Sequence, residues 1–122
     1  MLVIKKNKNK KPLTPTEKEF LKYTPKRVNL EWKLNGEGLI EIKIPKFKSN
    51  FGKSFCHIIK KENFFIGNMD KIGSIIWQNC NGKNTVKDIL EIVKKEFPDE
   101  NNIDQRLYLF IQQLHNLRYI EL

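Results

Sequence analysis

The side chains best suited to metal or nucleophilic chemistry in this 122-residue chain are Cys56, His57, Cys80 and His115. Their spacing matches neither a C-x-x-C pair nor an H-E-x-x-H helix, the two arrangements that bring ligands together within one local element. The expectation is therefore buried thiols and ordinary surface histidines, with no metal. The 14 acidic residues are scattered over polar helix faces, so no carboxylate pair is singled out for acid–base work. No glycine-rich loop follows a strand to cradle a phosphate, and no serine stands in a nucleophile-elbow context. The residues give no reason to expect catalysis or a cofactor, and point to a non-enzymatic binding protein.

Charge is the next guide to a partner. The formal net charge is +9, which on its own suggests nucleic acid. Residues 1 to 61, however, hold sixteen Lys and Arg against five acids, and residues 62 to 122 hold seven against nine, so the two halves carry +11 and −2. Only three of the 23 basic residues are Arg, and the abundance of Lys, Asn and Ile is what an AT-rich coding sequence would give. The stretch WQNCNGKNTVKDI, residues 77 to 89, reads like the corner of a helix-turn-helix. Yet the helix after it mixes Lys87, Lys94 and Lys95 with Asp88, Glu91 and Glu96, and phosphate contact needs a face of one sign. Specific nucleic-acid binding is not expected; a winged-helix nucleic-acid-binding or regulatory protein is the alternative reading. The opening MLVI is too short for a signal peptide or a membrane span, and two cysteines make no secreted framework, so no membrane partner and a cytoplasmic location are expected.

The elements that must position a binding site follow from periodicity. Residues 1 to 24 read as a basic, partly disordered extension, in which Thr14, Pro15 and Glu17 suggest a short helix to about Tyr23. Residues 25 to 122 read as one domain. Val28, Leu30, Trp32 and Leu34 alternate with polar residues, as do Ile40, Ile42 and Ile44 after an NGEG turn, which predicts a hairpin ended by Pro45. A basic loop follows, and CHIIKKENFFIG supplies a third strand centred on Asn63 to Gly67, with the Ile58–Ile59 run left unassigned. Three helices are then predicted: one capped by Asp70, with Gly73 and Ser74 small enough for another element to approach; one opening at Thr85 with Asp88; and one from about Ile103 to Arg118. YIEL can add a final extended piece. Strands followed by helices imply an α+β, winged-helix-like fold, a three-stranded antiparallel sheet followed by three helices.

Read together, TPKRVNLEWK, GLIEIKIP, ENFFIG, MDKIGSIIWQNCNGKNTVKDI and the closing LHNLRYIEL resemble the PqqD-type peptide-modification chaperones, the RiPP recognition elements. The resemblance covers about residues 25 to 122. It implies a domain that binds the leader of a ribosomally synthesised precursor peptide as an added strand and presents it to a modifying enzyme, in many cases a radical SAM protein. The strand beside the leader would be Asn63, Phe64, Phe65, Ile66 and Gly67, with Phe64 and Ile66 on one face and Phe65 on the other. The groove would be closed by the last helix. There Leu109 lies outside the apolar stripe, on a flank shared with Arg106 and Gln113, while Phe110 belongs to the stripe. The chain departs from the family pattern in its basic extension, its longer loop before the third strand, and Asn81 where an acid is common.

Overall fold

The computed structural model describes residues 16–45, 57–60 and 64–122. Along the strand β3 (Ile40–Pro45) the isoleucines 40, 42 and 44 are all buried, while Glu41 and Lys43 face the other way. That period of two is what a sheet covered on one face requires. β3 pairs antiparallel with β2 (Trp32–Leu34) on one side and β5 (Phe64–Asn68) on the other, and β5 pairs in turn with β4 (His57–Lys60). The order is β2-β3-β5-β4. The antiparallel sheet and the α+β class are as expected, and β4 is an added strand. HIIK and FFIGN are two short apolar runs that pair as a hairpin, where the sequence reading allotted the region one strand.

The predicted strand 28–34 is shorter than expected, because its first residues find other partners. Lys26–Arg27 (β1) pairs with Ile120–Glu121 (β6), and the Val28 N–H donates to the Tyr119 carbonyl at 2.9 Å. The apolar C-terminal tail thus becomes the second strand of a small ribbon. The NGEG turn closes on itself: Asn35 Oδ1 accepts the N–H groups of Glu37 and Leu39, and Gly38 takes a φ of +78°, which a side chain would strain. Thr14 and Pro15 lie outside the described residues. The helix α1 (Glu17–Phe20) is capped instead by Thr16 with Glu19, the same T-x-x-E box two residues on.

Three longer helices cover the buried face. In α2 (Lys71–Asn79) Asp70 caps the first turn, accepting the Gly73 N–H at 2.7 Å. α3 (Val86–Glu96) opens with the expected Thr85–Asp88 capping box, and buries Val86, Ile89, Leu90 and Val93. α4 (Ile103–Asn116) buries Ile103, Leu107, Ile111 and Leu114, three and four residues apart. It stops before Arg118 through a Schellman closure, in which the Tyr119 N–H donates to the Leu114 carbonyl and the Arg118 N–H to that of His115. Arg118 consequently holds a φ of +64°.

Arg27 ties the ribbon to the helices. Its Nη1 donates to the carbonyls of Trp77 at 2.8 Å and Gln78 at 2.9 Å, the orphan acceptors at the end of α2, and its guanidinium lies 5.0 Å from the Trp32 ring centroid. Trp32 in turn meets the fully buried Trp77 edge to face at 6.3 Å. Trp77 Nε1 has no hydrogen-bond partner among the described residues, a loss of about 1–3 kcal/mol. Burial of an indole returns roughly 4–6 kcal/mol, so the ring stays inside.

Arg27→Ala should therefore lower stability by about 2–3 kcal/mol in urea denaturation, with Arg27→Lys recovering less than half, since an ammonium does not reproduce the fork. Arg118→Gly should raise stability by about 0.5–1 kcal/mol, since it relieves a left-handed residue at a helix end and only part of the gain is lost to glycine's unfolded freedom.

Candidate functional site

The predicted site residues fall on two elements. Asn63 lies outside the described residues. Phe64, Phe65, Ile66 and Gly67 belong to β5, and Arg106, Leu109, Phe110 and Gln113 to α4. The register with β3 sets the faces: Phe65 stands opposite Ile44 and Gly67 opposite Ile42, so both turn toward the helices, whereas Ile66 stands opposite Lys43 and turns to the open face. Phe65 packs against the core. Phe64 shares the open face with Lys43, whose ammonium sits 4.5 Å from the ring centroid.

One part of the sequence expectation needs correction. β5 is an interior strand, and residues 65–68 have a partner in β3 on one side and in β4 on the other. A peptide cannot hydrogen-bond beside a strand whose main chain is already paired on both edges. Among the described residues the outermost strand at this end of the sheet is β4, and its exposed Ile59 stands opposite Ile66 on the open face. Sequence reasoning left Ile59 unassigned, although a second apolar run a few residues before FFIGN was the signal for a hairpin. On the same open face, nearer β2, a depression of about 230 Å³ is lined by Glu31, Lys33, Glu41, Lys43, Phe64 and Ile66 among others.

Leu109 is 57% exposed, while Leu107 and Ile111 on either side of it are fully buried. The Phe110 ring packs against Gly73 so closely that a Cβ there would lie 3.0 Å from two ring atoms. α4 is thereby pressed against the first turn of α2, only a few residues after β5 ends. Arg106 is held by Glu100 in a 3.0 Å ion pair. Both partners are well exposed, so the pair is worth at most about 1 kcal/mol and can exchange partners readily.

Cys80 is fully buried, and burial pushes its thiol up to about 12, with nearby Arg27 pulling weakly the other way. His115 is exposed on α4, His57 lies in β4, and Cys56 is outside the described residues. Among the described residues no three of His, Cys, Asp and Glu converge as a metal site would need, and no helix is long and apolar enough to cross a membrane.

The helix-turn-helix-like corner is also engaged internally. Gly82, at a φ of +80°, donates its N–H to the Pro25 carbonyl at 2.8 Å, and Asn81 bridges to Lys26. The first N–H groups of α3, those of Val86 and Lys87, donate to the carbonyls of Tyr23 and Leu21. In a DNA reader that helix start faces base edges or phosphates. Here the chain's own segment 21–25 covers it.

Residues 62–120, just under half of the chain, match the family model described as Coenzyme PQQ synthesis protein D (PqqD). This segment is similar to the PqqD family. It runs from β5 through all three long helices to β6, with α1 and the strands β1 to β4 preceding it. PqqD is a family of RiPP recognition elements, whose members are non-catalytic accessory proteins that bind precursor peptides and associate with modifying enzymes. No curated protein and no solved structure matched the chain.

Cys80 provides a check on this packing. In a Cys56→Ser variant, the thiol should resist a disulfide reagent at pH 8 until the protein is unfolded. Because the folded thiol ionises only near 12 and the unfolded one near 9.0, folding stability should fall as pH rises between those values and be unaffected by this group below them.

Proposed function

We propose that this protein is a non-enzymatic recognition element that binds the leader of a ribosomally made precursor peptide and presents the peptide to a modifying enzyme, of which a radical SAM protein is the first candidate. The match of residues 62–120 to PqqD carries the reading at the level of peptide binding. The sheet supplies the physical means. An extended leader adds beside β4 as a further antiparallel or parallel strand, with main-chain hydrogen bonds for affinity and alternate side chains directed to the two faces of the sheet. One set meets Ile59 and Ile66 on the open face. The other set points to the helical side, toward Phe65, Phe110 and the Leu109 flank between Arg106 and Gln113.

The nucleic-acid alternative is weaker on the same grounds. The start of α3 is covered, and its outer face mixes Lys87, Lys94 and Lys95 with Asp88, Glu91 and Glu96. Any duplex binding would come from the basic first half and would be insensitive to sequence.

An amide chemical-shift titration with a candidate leader, and separately with duplex DNA, tests the reading. The leader should shift residues 57–60, 64–68 and 106–113. Leu109→Asp should weaken the leader's affinity roughly tenfold, the burial of a half-exposed leucine being worth about 1–2 kcal/mol, while any salt-sensitive DNA binding stays unchanged. Shifts produced by DNA alone, centred on the lysines of the first half, would sink the proposal.

A further inference from the structure

Among the described residues the sheet has a second open edge, at β2. On its inner side the Lys43 N–H donates to the Glu31 carbonyl at 2.9 Å and the Asn35 N–H to the Leu39 carbonyl at 2.8 Å, and Lys33 stands opposite Glu41. Antiparallel pairs alternate between residues bonded to the neighbour and residues turned away from it. Glu31, Lys33 and Asn35 are thus bonded to β3, and the main-chain groups of Trp32 and Leu34 point out of the sheet. Their side chains are 36% and 52% exposed. On the open face the charges form a ladder, with Lys33 and Glu41 4.0 Å apart and Lys43 and Glu31 3.7 Å apart.

We propose that β2 pairs antiparallel with β2 of a second copy of this chain, about a two-fold axis through Trp32, joining two four-stranded sheets into one. A two-fold contact repeats every residue pair, so the edge must complement itself. Only registers that set outward-turned residues against each other can form bonds. An axis through Lys33 would place two lysines directly opposite, which is destabilising. An axis through Leu34 would set Lys33 against Asn35 and form no ion pair. With the axis through Trp32, the two Trp32 residues exchange N–H···O bonds, and Glu31 of each copy faces Lys33 of the other. Across the joined sheets the charges then read Lys43, Glu31, Lys33, Glu41, alternating throughout.

Short, charged edge strands are often a device against pairing. β2 is short and carries a lysine, but it has no proline, bulge or inward-pointing charge, and Glu31 and Lys33 have opposite signs on either side of the residue whose main chain is open. They select a register. With three residues per strand the contact is weak, with Kd on the order of 0.1–1 mM.

The test is sedimentation equilibrium and amide spectra of the full chain up to about 2 mM, above the expected Kd. The wild type should associate, with concentration-dependent shifts centred on Trp32 and Leu34. Glu31→Lys and Lys33→Glu, each folded by its amide spectrum, should each weaken self-association at least tenfold. An equimolar mixture of the two should associate again, because every pair across the axis then has opposite sign. Absence of wild-type association over this range, variants that self-associate as the wild type does, a mixture that stays monomeric, or shifts outside β2 would each overturn the proposal.

Discussion

The first turn of α2 is the constraint on which the rest of the domain depends. Gly73 and Ser74 are both buried there, between the sheet and α4. Ser74 Oγ accepts the Ile40 N–H at 2.9 Å, so the helix sits directly on the start of β3, and the missing side chain of Gly73 receives the Phe110 ring. A larger residue at either position would push the sheet or α4 outward. Since β5 leads into this turn through Met69, itself buried, the same wedge fixes how the strand end and the Leu109 flank of α4 stand relative to one another. A peptide-binding surface built from a sheet and a helix needs that spacing held without any ligand present.

Most of this was legible in the chain because local chemistry and burial agreed. The Asp70 cap, the Thr85–Asp88 box and the small pair Gly73–Ser74 are short-range signals, and each acts in the fold as its residue types suggest. The isoleucine alternation in β3 was equally clear, since that strand is central and buried on one face. Difficulties arose where a segment's partner is distant in sequence. The strand expected from Val28 loses its start because the Val28 N–H donates to the Tyr119 carbonyl, beside the pairing of Lys26–Arg27 with Ile120–Glu121 at the far end of the chain. Arg27 carries two bonds to the end of α2, and nothing in its neighbours' pattern marks it for that.

The candidate site was legible in part for the same reason. Leu109 stood out because one apolar stripe cannot absorb every apolar residue from Leu107 to Ile111, and it is indeed the exposed one. The strand side was harder. Whether β5 is an edge depends on where His57–Lys60 goes, and a four-residue run that can extend one strand or form another gives no answer by periodicity alone. Its pairing with β5 moves the open edge one strand outward. Alternation along β5 sets Phe64 and Ile66 on one face and Phe65 on the other, so a bound strand would be read from both sides rather than within a single groove.

Charge and topology together account for the resemblance to a DNA-binding corner. The turn at Asn81 and Gly82 has the residues that any tight helix–helix connection needs, and those residues carry no information about what the second helix touches. What decides that is the occupation of the helix start. Four carbonyl or N–H groups from the segment 21–27 are committed to this corner: Leu21 and Tyr23 accept from α3, Pro25 accepts from Gly82, and the Arg27 N–H donates to the Cys80 carbonyl. The partial positive charge at the start of α3 is spent within the domain, where a phosphate would otherwise sit. The corner instead anchors the β1–β6 ribbon against the helices. With the recognition-helix start committed in this way, the outer strands of the four-stranded sheet among the described residues, β4 and β2, are where a partner strand could pair.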